Sequence, residues 1–339
     1  MDVENLSERY GGRRILVTGH TGFKGAWLWF LLERLGAEPW GLALAPRPGD
    51  LHARAGLGCG ARETRGDVRD AATALQAVRA SRPALVIHLA AQALVGDGRR
   101  RPLATFQTNV LGTACVLQAA SLCGVPSALA VTSDKAYRPS PLPRSEGDPL
   151  GGHEPYSASK AAAEMVAESY RHGGGLAVAT ARAGNVVGGG DRSPGRLVPD
   201  IVRALESGRP LRLRDPGAVR PWQHVLEVLW GYLVLGARLM DGECAGAWNF
   251  GPPDGGSVSG LAGAFCSAWG RSPVLEREQD PPPENPRLLL DSSKARTELG
   301  WSCRLGWREA AARTAGEYLA LQDGGSARGM MEESLRSYA

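Results

Sequence analysis

No stretch of the sequence approaches the ~18 consecutive apolar residues that cross a bilayer, so no membrane span is expected. The opening Met1-Asp2-Val3-Glu4-Asn5 is acidic where a secretory signal would be basic, and the expectation is a cytoplasmic protein. The six cysteines (Cys59, Cys115, Cys123, Cys244, Cys266 and Cys303) include no Cys-x-x-Cys pair and no metal-ligand spacing. They read as buried thiols in a reducing compartment, and no metal site is expected. No basic run alternates with aromatics, and the net charge is only +4, spread over scattered arginines. That argues against a nucleic-acid partner and suits small anionic ligands. No internal repeat is visible. What is present is a chain of 339 residues, 43% hydrophobic and 22% charged, ordinary values for a globular enzyme with one large domain and a smaller one.

Residues 13–18 contain Ile15-Leu16-Val17, a run with the length of a fully buried strand. It leads into Gly19-His20-Thr21-Gly22-Phe23-Lys24-Gly25 and an apolar helical stretch, residues 26–35, ended by Gly36. A strand, three glycines spaced by three and a helix make a phosphate-binding turn. Gly19 allows the tight turn, Gly22 the approach of a pyrophosphate, and Gly25 close helix–strand packing. The next strand, residues 40–44, runs into Ala45-Pro46-Arg47, with no acidic residue for an adenosine ribose; Arg47 suits a 2′-phosphate or plain solvation, so NAD and NADP are not separated here. Asp67 follows another short strand, placed for an adenine amino group or equally for a helix N-cap. Residues 85–89 form a further strand ending at Ala90-Ala91-Gln92, small enough to leave room for a cofactor. Residues 96–102 read as a charged flexible loop, 105–123 as a helix containing Asn109, and 128–132 as the next strand. This alternation predicts an α/β, doubly wound parallel sheet of Rossmann type with a smaller α/β C-terminal substrate domain. The expected division is 1–183 for the dinucleotide, 184–322 for the substrate with segments that interleave, and 323–339 as a loose tail, with residues 1–12 as a surface arm. Residues 257–269 and 307–321 read as helices with core-facing stripes.

Tyr156 and Lys160 stand four apart in a helix-forming segment and so share a helix face. A neighbouring ammonium favours the phenolate, and a phenolate is a general base for an alcohol. The same spacing also fits a solvated surface face. The strand end Ser133-Asp134-Lys135 supplies a hydroxyl to orient a substrate alcohol against Tyr156, then an acid/base pair one residue apart. A turn with Ser and Asp as capping residues is the plainer reading of the same letters. Further on, Asn185 and Arg196 suit a ribose and a phosphate, and Arg220 a pyrophosphate, for which a guanidinium fork is well shaped. His224 fits a substrate contact or a structural role equally.

Together these residues resemble the extended short-chain dehydrogenase/reductases that act on nucleotide sugars, and within them the 4,6-dehydratases of the CDP-glucose branch. The resemblance is carried by residues 19–25, 132–135, 148–153, 155–161, 182–186 and 188–191, with 248–252 and 299–301 near the C-terminus. Its most specific piece is Arg220-Pro221-Trp222-Gln223-His224-Val225-Leu226-Glu227. The resemblance implies NAD contacts from Gly19, Thr21, Gly22, Phe23, Lys24, Gly25, Arg47, Asp67, Val68, Leu89, Ala90, Ala91, Gln92, Asn109, Tyr156 and Lys160. It implies a nucleotide-diphosphate sugar as substrate and a homodimer or homotetramer. It also implies a redox-neutral dehydration in which Tyr156, helped by Ser133, takes the sugar 4-hydroxyl proton while Lys160 favours its ionised form. Asp134 then serves as acid at the C6 oxygen, and Lys135 as base or electrostatic partner at C5, which requires a neutral amine.

Three departures stand out. Relatives carry an Arg and a Ser-Tyr pair where this chain reads Gly96-Asp97-Gly98-Arg99-Arg100-Arg101. Arg192 replaces a Trp, and Pro283-Glu284-Asn285 replaces a His-Glu pair. Drift in loops explains them, as does a specialised enzyme on a modified nucleotide sugar. A 4-epimerase or decarboxylase is an alternative that Asp134-Lys135 opposes. A non-catalytic cofactor-binding regulator is another, opposed by the intact Tyr156 and Lys160.

Overall fold

A computed structural model of the chain describes residues 3–58, 60–279 and 285–338, so Cys59, Pro283 and Glu284 lie outside the described residues. Seven strands are numbered in chain order: β1 Arg14–Thr18, β2 Glu38–Ala43, β3 Glu63–Arg65, β4 Leu85–His88, β5 Ser127–Val131, β6 Ala177–Ala183 and β7 Gly246–Phe250. They form one parallel sheet in the order β7-β6-β5-β4-β1-β2-β3. The order reverses between β1 and β4, which opens a crevice beyond their carboxyl ends. This is the doubly wound Rossmann sheet that the alternating pattern predicts.

The central strands are apolar throughout because both faces are covered. Ile15, Val17, Leu85, Ile87, Leu129 and Val131 pack with the Phe23–Arg34 and Val225–Met240 helices on one face. Leu16, Val86, Ala128 and Ala130 face the Ala71–Ser81, Gly112–Leu122 and Pro155–His172 helices on the other. A third core joins Leu197–Ser207, Val258–Trp269 and Trp307–Gln322 through Ile201, Phe265, Ala311 and Tyr318, so the expected apolar stripes of the last two helices are buried there. The second half interleaves with the first, since β7 and the Val225–Met240 helix belong to the main sheet and its cover.

Three segments differ from expectation. Residues expected to be a surface arm form the helix Val3–Tyr10, with Leu6 and Tyr10 fully buried and the Tyr10 hydroxyl donating to the Leu233 carbonyl at 2.8 Å. The expected loose tail contains the helix Ala327–Arg336, capped by Ser326, with Met330, Met331 and Tyr338 in the main core. Both are amphipathic elements too short to stand alone, and tertiary burial of one face holds them. The charged loop after β4 is the helix Val95–Arg100, where the Asp97 carboxylate pairs with Arg100 and Arg101 one turn on. Met331→Ala is expected to cost about 2–5 kcal/mol, the range for emptying a fully buried site, read as a lower urea midpoint with an unchanged slope.

Candidate active site

The turn after β1 is built to expose backbone. Gly19 has φ +73°, where a Cβ would lie 2.8 Å from the Ala90 nitrogen. A Cβ on Gly25 would lie 2.1 Å from the Gly19 carbonyl oxygen, so the helix can approach the strand this closely only without one. Gly22 is the N-cap of the Phe23–Arg34 helix and brings no side chain to cap it, leaving the positive helix end to an anion. Thr21 ties the turn to the end of β2 by donating to the Leu44 carbonyl at 3.1 Å. Phe23 packs in the main core beside Gly188. These features fit a dinucleotide pyrophosphate.

The remaining expected cofactor residues separate into groups. Leu89, Ala91, Lys24, Tyr156 and Lys160 line a cavity of about 710 Å³ beyond the strand ends. Ala90 lies against the turn, its N–H donating to the Thr18 hydroxyl at 3.2 Å. Asn109, in a widened turn of helix at Gln107–Leu111, is buried and spent on structure. It accepts from the Gln92 N–H at 2.8 Å and donates to the Gln92 carbonyl and the Ser159 hydroxyl at 3.0 and 2.8 Å. Gln92 is held likewise, donating to Leu94 and Thr105. Val68 is core, packed against Gly112. Asp67 grips the Arg69 guanidinium at 2.6 Å, and the N-cap of the following helix is Asp70. Arg47 is exposed and does not line the cavity.

The chemistry-bearing side chains converge. The Pro155–His172 helix starts on Pro155, with Glu154 accepting from the Tyr156 and Ser157 N–H groups at 2.8 Å each. That start places Tyr156 and Lys160 on the buried face, and the Lys160 Nζ donates to the Val131 carbonyl at 3.0 Å. Ser133 caps a short 3₁₀ turn, Asp134–Ala136, and its hydroxyl donates to Asp134 Oδ1 at 3.0 Å. Asp134 is buried, and its Oδ2 finds no protein partner. Lys135 is half-buried at the cavity wall.

Burial dominates the protonation of this site. It pushes Tyr156 up to about 12, against which a hydrogen bond with Ser133 and the charge of Arg196 pull down. The expected simple depression of the phenol by its lysine neighbour is therefore not what the protein alone produces. Desolvation leads, Asp134 and Glu154 add to it, and Ser133 and Arg196 do not offset them. Burial raises the Asp134 carboxyl, offset in part by Lys135, Ser133 and Arg220, so it tends to keep a proton. Lys160 is brought down to about 8 by burial, with Glu164 opposing.

Asn185, Arg196 and Arg220 all line the cavity, and Arg196 pairs with Asp191 at 3.0 Å. His224 does not belong with them. It is fully buried and caps the Val225–Met240 helix, and its Nε2 meets Glu317 at 3.0 Å. Its partner lies in a helix 93 residues later, which no local spacing announces.

Other residues at the site lacked a clear signal. Arg99, Arg212 and Arg214 line the cavity. Lys24, an expected cofactor contact, has its Nζ 5.9 Å from the centre of the Tyr232 ring and its pKa drawn down to about 7 by burial, then by Lys160 and Arg196. A separate cluster, His20, His52 and Glu63, has ligand atoms within 4.8 Å of one another, and Arg65 already supplies a cation to Glu63 at 2.9 Å.

Gly25→Ala is expected to destabilise the chain by about 1–3 kcal/mol through overpacking of the turn, and to reduce copurifying NAD to a small fraction of the wild-type content, measured by absorbance after heat release.

The NAD dependent epimerase/dehydratase family model matches residues 15–251. The chain is 40% identical over 323 residues to the CDP-glucose 4,6-dehydratase of Salmonella typhimurium, covering 89% of each. Its fold matches the dTDP-glucose 4,6-dehydratase of Streptomyces venezuelae, solved with NAD bound, at a TM-score of 0.78 and 26% identity, over 92% of this chain and 98% of that one. It also matches the UDP-glucose 4-epimerase of Thermus thermophilus in complex with NAD, at a TM-score of 0.80 and 27% identity, over 89% and 98%. By sequence, turn geometry and fold alike, the chain belongs to the NAD dependent epimerase/dehydratase family.

Proposed function

We propose that the chain is a nucleotide-sugar 4,6-dehydratase whose substrate is CDP-glucose or a close relative of it. The observation that carries this is Asp134: a buried carboxyl with one free oxygen, held up in pKa by burial, beside the hydroxyl and phenol that suit alcohol oxidation. An epimerase needs no acid there, whereas elimination of water requires a proton delivered to the departing oxygen.

NAD, when bound, supplies the two-electron acceptor for sugar C4 and the donor back to C6. The chain's own residues handle protons and orientation. Tyr156, held by Ser133, takes the 4-hydroxyl proton as the C4 ketone forms. Its position beside Lys160 supplies part of the positive charge that the phenolate needs. The ketone acidifies the C5 proton, for which Lys135 at the cavity wall is the base when its amine is neutral and otherwise an electrostatic partner. Asp134 gives its proton to the C6 hydroxyl, which leaves as water; once C6 is reduced C5 takes a proton that has exchanged with solvent, and the proton that Tyr156 took is released as Asp134 regains one. Arg196 and Arg220, with Arg212 and Arg214 at the cavity wall, suit the diphosphate. Asn185 suits the ribose. Of the remaining expected cofactor contacts, Asp67 must share its carboxylate with Arg69 to reach an adenine.

A second copy of the chain fits the outer helices. Leu103, Phe106, Leu111, Leu122 and Met165 are exposed there, on Pro102–Phe106, Gln107–Leu111, Gly112–Leu122 and Pro155–His172. Large apolar side chains gathered on adjacent helices favour a two-fold interface, hence a homodimer. The five described cysteines are free thiols, which supports a cytoplasmic setting. Among the described residues no helix is long and apolar enough to cross a membrane.

With CDP-glucose, mass spectrometry should find the 4-keto-6-deoxy product with one deuterium at C5 when the reaction runs in deuterated water. Complete inactivity, or a C4 epimer without exchange, would sink the assignment. Tyr156→Phe should lower kcat by about 10²–10⁴-fold, the usual worth of a positioned base. Asp134→Asn should still accumulate reduced nicotinamide absorbance yet release no dehydrated sugar. Leu111→Asp should shift the sedimenting species from dimer to monomer.

A further inference from the structure

One buried carboxylate takes no part in the proton transfers above, and it lies one turn beyond Lys160. Glu164 is 5% exposed, and all its partners are internal. Its Oε1 accepts from the Thr132 hydroxyl, and its Oε2 from the Thr180 hydroxyl at 2.7 Å and from Arg182 Nη2 at 2.8 Å. Tyr156, Lys160 and Glu164 thus occupy one helix face at successive turns. The last two reach across to consecutive residues of the same strand end, Lys160 to the Val131 carbonyl and Glu164 to the Thr132 side chain. Ser133 and Asp134 come next in the chain. Beyond Glu164 the connection continues, since Arg182 Nη1 donates to the Tyr137 hydroxyl at 2.8 Å and to the Glu146 carbonyl at 3.0 Å. Tyr137 in turn donates to Asn249 at 2.8 Å, whose amide holds the Arg144 and Asp291 carbonyls.

We propose that Glu164 is a positioning residue for the proton-transfer site: it locks the strand end bearing Ser133 and Asp134 to the helix bearing Tyr156 and Lys160, and sets a negative charge one turn behind the Lys160 ammonium. A structural ion pair with Arg182 needs only one carboxylate oxygen. The second oxygen is committed to Thr132, the residue next to Ser133, and that commitment is what couples the pair to the chemistry. The inference rests on the reading of Tyr156 and Lys160 as the oxidising pair, not on which sugar is used.

The charge acts on Lys160 among a small set of neighbours. Tyr156 and Glu164 face it from its own helix, His88 from β4 and Lys24 from the first turn of the Phe23–Arg34 helix, with the Val131 carbonyl from β5 and Arg182 of β6 behind Glu164. His88 is kept neutral, drawn down to about 3 by burial and by Lys160 itself. Glu164 opposes the burial that draws Lys160 down. Removing its charge also leaves Arg182 unpaired nearby, and both changes favour the neutral amine. Lys160 then sheds its proton at lower pH, and the Tyr156 phenolate loses a counter-charge.

The test uses NAD-loaded enzyme and two readouts. Ionisation of Tyr156 is followed by ultraviolet difference titration against the Tyr156→Phe variant, which needs no substrate and so stands even if the dehydration reading fails. The pH profile of turnover is the second. Glu164→Gln should shift the Tyr156 midpoint by about one unit, move the alkaline limb of kcat to lower pH, and reduce kcat about tenfold to a hundredfold with KM within about threefold, the signature of misplaced reacting groups. Glu164→Asp should restore the midpoint and the limb while kcat stays reduced, because the charge returns but the reach to Thr132 does not. Thr132→Val, which removes the coupling hydrogen bond and leaves the ion pair, should lower kcat with the limb unmoved, and it decides the matter should the Gln variant not fold. A Glu164→Gln enzyme with wild-type titration and limb, or a Thr132→Val enzyme with wild-type kcat, overturns the proposal.

Discussion

The hydrogen bond from Lys160 Nζ to the Val131 carbonyl, with that from Thr132 to Glu164 one turn on, joins the Pro155–His172 helix to the sheet at the proposed proton-transfer site. Its geometry depends on nearly everything else in the fold. The carbonyl is available because β5 ends at Val131, and a parallel strand at its end no longer pairs every group with its neighbour. The ammonium arrives because Glu154 and Pro155 start the helix at the right residue, so that the face carrying Tyr156, Lys160 and Glu164 turns inward. The switch in strand order between β1 and β4 sets the crevice beside both. None of these would matter if the sheet were antiparallel, since its strand ends would not collect at one edge.

The cavity shows which electrostatic effect wins where two compete. Tyr156, Lys160, Lys24 and Asp134 have burial as the leading cause of their shifts, and in each case it moves the group towards its neutral form. Partners modify that bias and do not reverse it. That bias limits bare charge in a low-dielectric site. The Tyr-Lys spacing carries no information on burial, which leads the Tyr156 shift.

Much of the architecture was legible from residues 13–36, because an apolar run, three spaced glycines and a helix leave few alternatives. Ser133, Asp134, Tyr156 and Lys160 were legible as a set, since their order along an alternating chain matches the order of strand ends in space. What escaped was structure whose cause lies elsewhere in the chain. The Val3–Tyr10 and Ala327–Arg336 helices look polar in isolation, and only the packing of Leu6, Tyr10, Met331 and Tyr338 on distant elements holds them. His224 was ambiguous because the carboxylate that claims it comes from Glu317, and Asn109 because its partners Gln92 and Ser159 meet it only after folding. The helix at Val95–Arg100 carries mixed signals: Asp97 followed by Arg100 and Arg101 is a helical charge pattern, whereas Gly96 and Gly98 argue the other way.

Asp134 and Lys135, proposed as acid and base of the elimination, both border the cavity because of the turn that holds them. On a strand or a long helix, neighbouring side chains diverge widely and only one would face the cavity. Here the strand stops at Val131, Ser133 caps a single 3₁₀ turn, and both side chains border the same space. Their solvent exposure nonetheless differs, with Asp134 buried and Lys135 half-buried. Burial raises the Asp134 carboxyl towards its protonated form, which suits the proposed acid. The short turn thus gives adjacent residues different access to water at one cavity wall.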